Sequence, residues 1–191
     1  MHYALSIKKM TGVEYIQMKA FARYDGLKLF VLWLASFACY VAGFRTPGLG
    51  LVAMALALLT PFMAYRMLRR YREDVLGGAI SFRRGWFYVV LLFLNAGLLF
   101  AVAQFVYFNY MDQGYFMSAM TEMLNTPESA AAMKQIGMGA TLNQTLDMMR
   151  QMRPIDLVLN ILMSNLLIGC LVALLLAALG KRDVGEVMSG K

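Results

Sequence analysis

The sequence predicts an all-α integral membrane protein: a four-transmembrane-helix bundle with an N-terminal interfacial amphipathic helix and a small helical extracytoplasmic cap. Three observations predict it. Of 191 residues, 60% are hydrophobic and only 15% charged, whereas a soluble domain runs near half and a quarter. The apolar residues arrive in four blocks of spanning length, 28–44, 48–65, 86–108 and 155–179. Basic residues then gather on one side of those blocks. The composition excludes a disordered chain, a collagen-like repeat and a disulfide scaffold.

Each block is justified by length and by the solvent it must occupy. About 20 apolar residues at a rise of about 1.5 Å cross a hydrocarbon core near 30 Å. Backbone polar groups find no water there, so the segments must be helical. Only Arg45, Thr46 and Pro47 separate the first two blocks, which forces a tight antiparallel hairpin. Pro61 inside the second block leaves the Ala57 carbonyl without its amide donor.

Fourteen of the eighteen basic residues lie in the N-terminal segment (Lys8, Lys9, Lys19, Arg23, Lys28), the second loop (Arg66, Arg69, Arg70, Arg72, Arg83, Arg84) and the tail (Lys181, Arg182, Lys191). The positive-inside rule places both termini and the 66–85 loop in the cytoplasm, and 109–154 outside. The +7 net charge then serves the anionic lipids of the cytoplasmic leaflet, and nucleic acid is not an expected partner.

Before the first block, Thr11-Gly-Val-Glu14 has the spacing of a capping box. Val13, Ile16, Ala20 and Tyr24 follow at helical spacing, so 11–26 reads as an amphipathic helix on the cytoplasmic leaflet. The first apolar run is short and broken by Lys8 and Lys9, which is unlike a signal peptide, and Met10 is a candidate start. In the 66–85 loop, Gly77-Gly78 ends a helix and Ser81 is an N-cap for the next. Arg69, Arg70, Arg72, Arg83 and Arg84 are candidates for a lipid-phosphate site. Ordinary topogenic charge, which any such protein needs, is the plainer explanation.

The 109–154 segment is too long to be structureless. Phe116, Met120, Met123 and Leu124 share one helical face, and Thr126-Pro127-Glu128 reads as a helix start. Gly137 and Gly139 end that helix, and Thr141-Leu-Asn-Gln144 reads as a second capping box, followed by Leu142, Leu146, Met149 and Met152. Nine of the seventeen Met fall here. Met117, Met120 and Met123 are candidates for an adaptable partner surface. Their spacing also suits Cu(I), but with no His or Cys nearby no metal site is expected. No cofactor is expected either.

Within the spans the polar residues are Ser36, Asn95, Gln104, Asn160, Ser164 and Asn165, with Asn160, Ser164 and Asn165 read as one helix face. They serve as packing hydrogen bonds or as a small polar cavity. Cys39 and Cys170 read as small apolar packers, and His2 near the terminus is the one histidine. No HExxH, P-loop, GxSxG or dinucleotide fingerprint is present, so an enzyme is not expected.

Three stretches carry a resemblance: Met10–Gly26, the LxGxISFRRxW core within Arg69–Trp86, and AQFVYFNYMDQG at Ala103–Gly114, with Thr126-Pro127-Glu128 and Arg153-Pro-Ile-Asp156 agreeing. The chain resembles the bacterial membrane family known as domain of unknown function 4199, common in Bacteroidota, from Met10 to Lys181. That resemblance implies a four-span inner-membrane protein and assigns no catalytic residue. Relatives encoded beside polyprenyl-phosphate-type glycosyltransferases imply work in envelope glycolipid assembly. The expected function is therefore a non-enzymatic accessory or scaffold subunit, as a homodimer or beside a membrane-protein partner. The alternative is a binder or translocator of a lipid-linked phosphate.

Overall fold

The computed structural model describes residues 11–135, 137 and 139–182. Its helices are α1 (Gly12–Gly43), α2 (Pro47–Leu76), α3 (Phe82–Val106), α4 (Tyr115–Leu124), α5 (Pro127–Gln135), α6 (Gly139–Gln151) and α7 (Pro154–Gly180). A π-helical turn, Tyr107–Met111, prolongs α3. Four helices are long and apolar enough to cross a membrane: α1, α2, α3 with its π turn, and α7. The chain is thus an all-α, multi-pass membrane protein. No strand occurs among the described residues, only an isolated antiparallel bridge between Ile80 and Arg182.

The N-terminal elements differ from expectation. Segments 11–26 and 28–44 form one uninterrupted helix of 32 residues, because neither Leu27 nor Lys28 breaks a helix. The capping box is present: the Thr11 amide donates to Glu14 Oε2 at 2.9 Å and the Glu14 amide to Thr11 Oγ1 at 3.3 Å. The buried stripe, however, is Met18, Ala22, Asp25, Gly26 and Leu29, while Val13, Ile16 and Tyr24 are exposed. This half of α1 is packed into the bundle rather than laid on the membrane by its apolar stripe. Close approach decides the matter at Gly26: a Cβ there would stand 2.8 Å from Asn95 Cβ and 3.2 Å from the Leu92 carbonyl oxygen.

The hairpin from Gly43 to Pro47 forms as the spacing requires, with a Cβ on Gly43 meeting the Gly50 amide nitrogen at 2.8 Å. α2 runs antiparallel to α1 and extends through the arginine cluster to Leu76, where Gly77 takes φ +67°. Ser81 stands at the N-cap of α3, without a side-chain capping bond. α3 lies parallel to α1, and α7 returns antiparallel to α3, with Gly85 beside Ala177 and Gly169 against the Phe93 ring.

The hydrophobic core sits at the basic end of the bundle. Met18, Leu29, Leu68, Tyr71, Tyr88 and Leu92 are fully or almost fully buried there. Tyr71 and Tyr88 stack with centroids 4.5 Å apart and planes within 1°. Toward the other end a chain of aromatic contacts takes over, from Trp33 on Phe93 and Phe100, through Phe37, to Phe44 and Phe116. Cys39 and Cys170 are free and half-buried.

The 109–154 segment is helical, as expected, but its last capping box is not one. α6 begins at Gly139, so Thr141 lies inside it, and the Thr141 carbonyl accepts from Thr145 Oγ1 at 2.8 Å. Thr126 does open α5, its Oγ1 accepting from the Ser129 amide at 3.4 Å. Met1–Met10, including His2, and the tail after Arg182 lie outside the described residues, as does the Leu142 side chain.

Candidate functional site

Of the five arginines expected to share a phosphate, three have partners within the chain. Arg72 is buried and donates from Nη1 to the Gly180 carbonyl at 2.8 Å, with Nη2 on Glu73 Oε1 at 2.6 Å. A cation there satisfies the orphan carbonyls and negative dipole of the α7 C-terminus. Arg84 pairs with Glu14 at 3.4 Å, tying the start of α3 to the start of α1, and Arg70 pairs with Asp74 at 3.2 Å. Arg69 and Arg83 remain exposed. Within the expected five-residue site, Arg69 and Arg83 make no ion pair among the described residues. Three of its members hold helices or their own neighbours.

A charged group missed in the spans stands beside them. Asp25 is 2% exposed, accepting from Tyr88 Oη at 2.6 Å and from Lys28 Nζ at 2.9 Å. The Lys28 ammonium lies 4.1 Å from the centroid of the Tyr24 ring. The pairing with Lys28 at i, i+3 is visible in the sequence; the bond to Tyr88 spans 63 residues and is not.

The intramembrane polar residues also separate into three sets. Asn95 bonds its own helix, donating to the Leu91 carbonyl at 2.7 Å. Asn160 and Ser164 point out of the bundle, exposed and without a hydrogen bond among the described residues. Asn165 turns inward. Five residues advance a helix by about 140° beyond a full turn, so Asn165 cannot share the face of Asn160, contrary to expectation.

Asn165 and Gln104 instead line a groove of about 820 Å³ between α1, α2, α3 and α7. Its walls include Trp33, Phe37, Phe93, Phe100, Thr60 and Pro61, and no charged residue lines it. Trp33 Nε1 donates to Thr60 Oγ1 at 3.1 Å, and Ser36 Oγ to the Ala53 carbonyl at 2.9 Å. Those two hydroxyl groups are thereby engaged. Gln104 is different: it is 3% exposed, and its Oε1 is buried without a partner among the described residues.

At the cap end, Asp112 is buried and accepts from the Phe116 amide at 2.9 Å and the Gly114 amide at 3.2 Å, fixing the turn into α4. Of the candidate partner surface, Met117 and Met120 are half-buried and Met123 is 46% exposed. Met123 is the most exposed of the three. No group of three or more His, Cys, Asp or Glu side chains placed to hold a metal ion occurs among the described residues.

Residues 24–182 match the family described as Protein of unknown function (DUF4199). The chain belongs to this family. The DUF4199 match starts at Tyr24, so the Met10–Gly26 stretch lies mostly before it, whereas the groove, Asp25 and the basic loop all fall inside it. No curated protein and no solved structure matches the chain.

Proposed function

We propose that this DUF4199 protein is a non-enzymatic accessory or scaffold subunit of a bacterial envelope complex, docking in the membrane through the outer face of α7. One observation carries the reading. Asn160 and Ser164, one turn apart on that face, are exposed and make no hydrogen bond among the described residues. Lipid offers such groups no partner, whereas a neighbouring helix with a polar side chain does, at roughly 0.6–2 kcal/mol for each bond. A carboxamide is both donor and acceptor, so a second copy suffices. Met163 and Leu167 flank the pair, 58% and 66% exposed.

The distribution of basic residues supports an inner-membrane orientation with both termini in the cytoplasm and α4–α6 outside. Exposed Arg69 and Arg83 then meet the anionic leaflet. The lipid-linked-phosphate reading has less to stand on, since Arg70, Arg72 and Arg84 have partners within the chain.

The test is gentle extraction of tagged protein at native abundance, followed by mass spectrometry of what co-purifies. A stoichiometric membrane partner, or a homodimer, lost on Asn160→Leu with Ser164→Ala, supports docking. A monomer, or an assembly indifferent to both substitutions, overturns it.

A further inference from the structure

We propose that the groove between α2 and α7 is a binding site for one neutral, oxygen-bearing lipid drawn from the surrounding bilayer. Its lining includes neither Asn160 nor Ser164 of the docking face on α7. Met54 on α2 and Ile168 on α7 line its rim and are 57% and 59% exposed, so the groove opens sideways toward lipid rather than toward water. Between Phe93 and Phe108 it runs fifteen residues of α3 and its π turn, about 22 Å at helical rise. That length suits an extended acyl or isoprenoid chain. The volume of about 820 Å³ lies in the range of small-molecule sites, roughly 300–1,000 Å³.

Apolar contact alone cannot make this a selective site. A lipid chain is as well solvated by bulk bilayer as by Trp33, Phe37 and Phe100, so discrimination has to come from shape and from polar groups. Gln104 supplies the polar group. Its carboxamide makes no hydrogen bond among the described residues although the residue is 97% buried by difference from its 3% exposure. Rotation about the last side-chain bond exchanges its oxygen and amino group. It can therefore accept from a hydroxyl or donate to a carbonyl. Gln104 lies seven residues before Met111, about 10 Å from the cap end of that span. The oxygen-bearing link of the lipid sits at that depth, with its chain running toward Phe93 and Gly169.

The absence of charge among the lining residues fixes the class further. An anionic or zwitterionic headgroup drawn down to Gln104 would have no charged partner in the lining, at a cost of several kcal/mol. A neutral alcohol or ester carries no such penalty.

The test uses full-length protein with Trp86→Phe, leaving Trp33 in the groove wall as the one indole. It is reconstituted in phosphatidylcholine vesicles doped with dibromostearoyl diacylglycerol, whose bromines quench indole fluorescence at short range. The expected result is quenching that saturates at low mole fraction, while dibromostearoyl phosphatidylcholine quenches only in proportion to its abundance. Ala57→Phe, at an exposed position lining the groove, removes the saturable component. Gln104→Leu weakens it about threefold to tenfold, as loss of one hydrogen bond requires. Proportional quenching by both lipids overturns the site. Saturable quenching unchanged in Gln104→Leu overturns the role of the carboxamide, and stronger response to dibromostearoyl phosphatidic acid overturns neutrality. If Ala57→Phe fails to insert, Gln104→Leu decides alone.

Discussion

The two ends of the bundle are held by different means. At the basic end all four spanning helices converge: Gly26 lets α1 onto α3, Leu68 meets Gly180, and Arg72 ties α2 to the last carbonyl of α7. Asp25, Tyr88 and Tyr71 fill the centre with a bonded carboxylate and two stacked rings. Toward the cap end α2 and α7 part. The aromatic ladder of α1 and α3 is left as the wall of a groove, with the buried, unpartnered Gln104 amide in it. The closed end is held by the Asp25–Tyr88 and Arg72–Gly180 bonds, although Tyr71 Oη, Arg84 Nε and Trp86 Nε1 are buried there without a partner among the described residues. The open end, in contrast, leaves the Gln104 amide facing a groove.

Substitutions can break or sharpen this contrast. The largest effect is expected from Asp25→Ala, which leaves the Tyr88 hydroxyl and the Lys28 ammonium without their acceptor. Loss of a buried pair costs about 3–5 kcal/mol, and the value here should lie near the lower figure, because the Lys28 side chain is 34% exposed. Unfolding by denaturing detergent in mixed micelles measures it. Gly26→Ala comes next, at about 1–3 kcal/mol in the same assay, since its new Cβ would press on backbone and Cβ atoms of α3. Tyr88→Phe keeps the stacked ring and removes one bond to a charged acceptor, for about 1.5 kcal/mol. At the open end the prediction reverses. Gln104→Leu should leave stability unchanged or slightly raised, because it deletes a buried polar group that lacks a partner. A loss of 2 kcal/mol or more there would mean that the amide is bonded within the fold.

Much of the architecture is legible in the sequence because the bilayer imposes it. Four blocks of hydropathy, the Arg45-Thr46-Pro47 hairpin, Gly77 as a helix stop and the Thr11 capping box all follow from local chemistry. Local chemistry also misleads. Thr141 has the spacing of a cap, yet α6 starts at Gly139, and no rule of spacing separates a cap from a second-turn threonine. The apolar stripe of the first helix points outward because packing at Gly26 and Asp25 sets its rotation, a tertiary choice that periodicity does not contain. The arginines of the second loop are visible as charge, but their roles depend on partners as distant as Gly180, 108 residues from Arg72. Gln104 and Asn165 are visible as intramembrane amides. That they face one groove while Asn160 faces outward depends on the rotation of α7, which Gly169 against Phe93 determines.

The measurement that tests the closed and open ends most directly is cysteine cross-linking of α2 to α7, in a background where Cys39 and Cys170 are replaced by Ala. Leu68→Cys with Gly180→Cys should form a disulfide readily under mild oxidation in the membrane. Met54→Cys with Ile168→Cys, across the groove rim, should not. Equal cross-linking of both pairs would mean that α2 and α7 close along their whole length, and the groove would not exist.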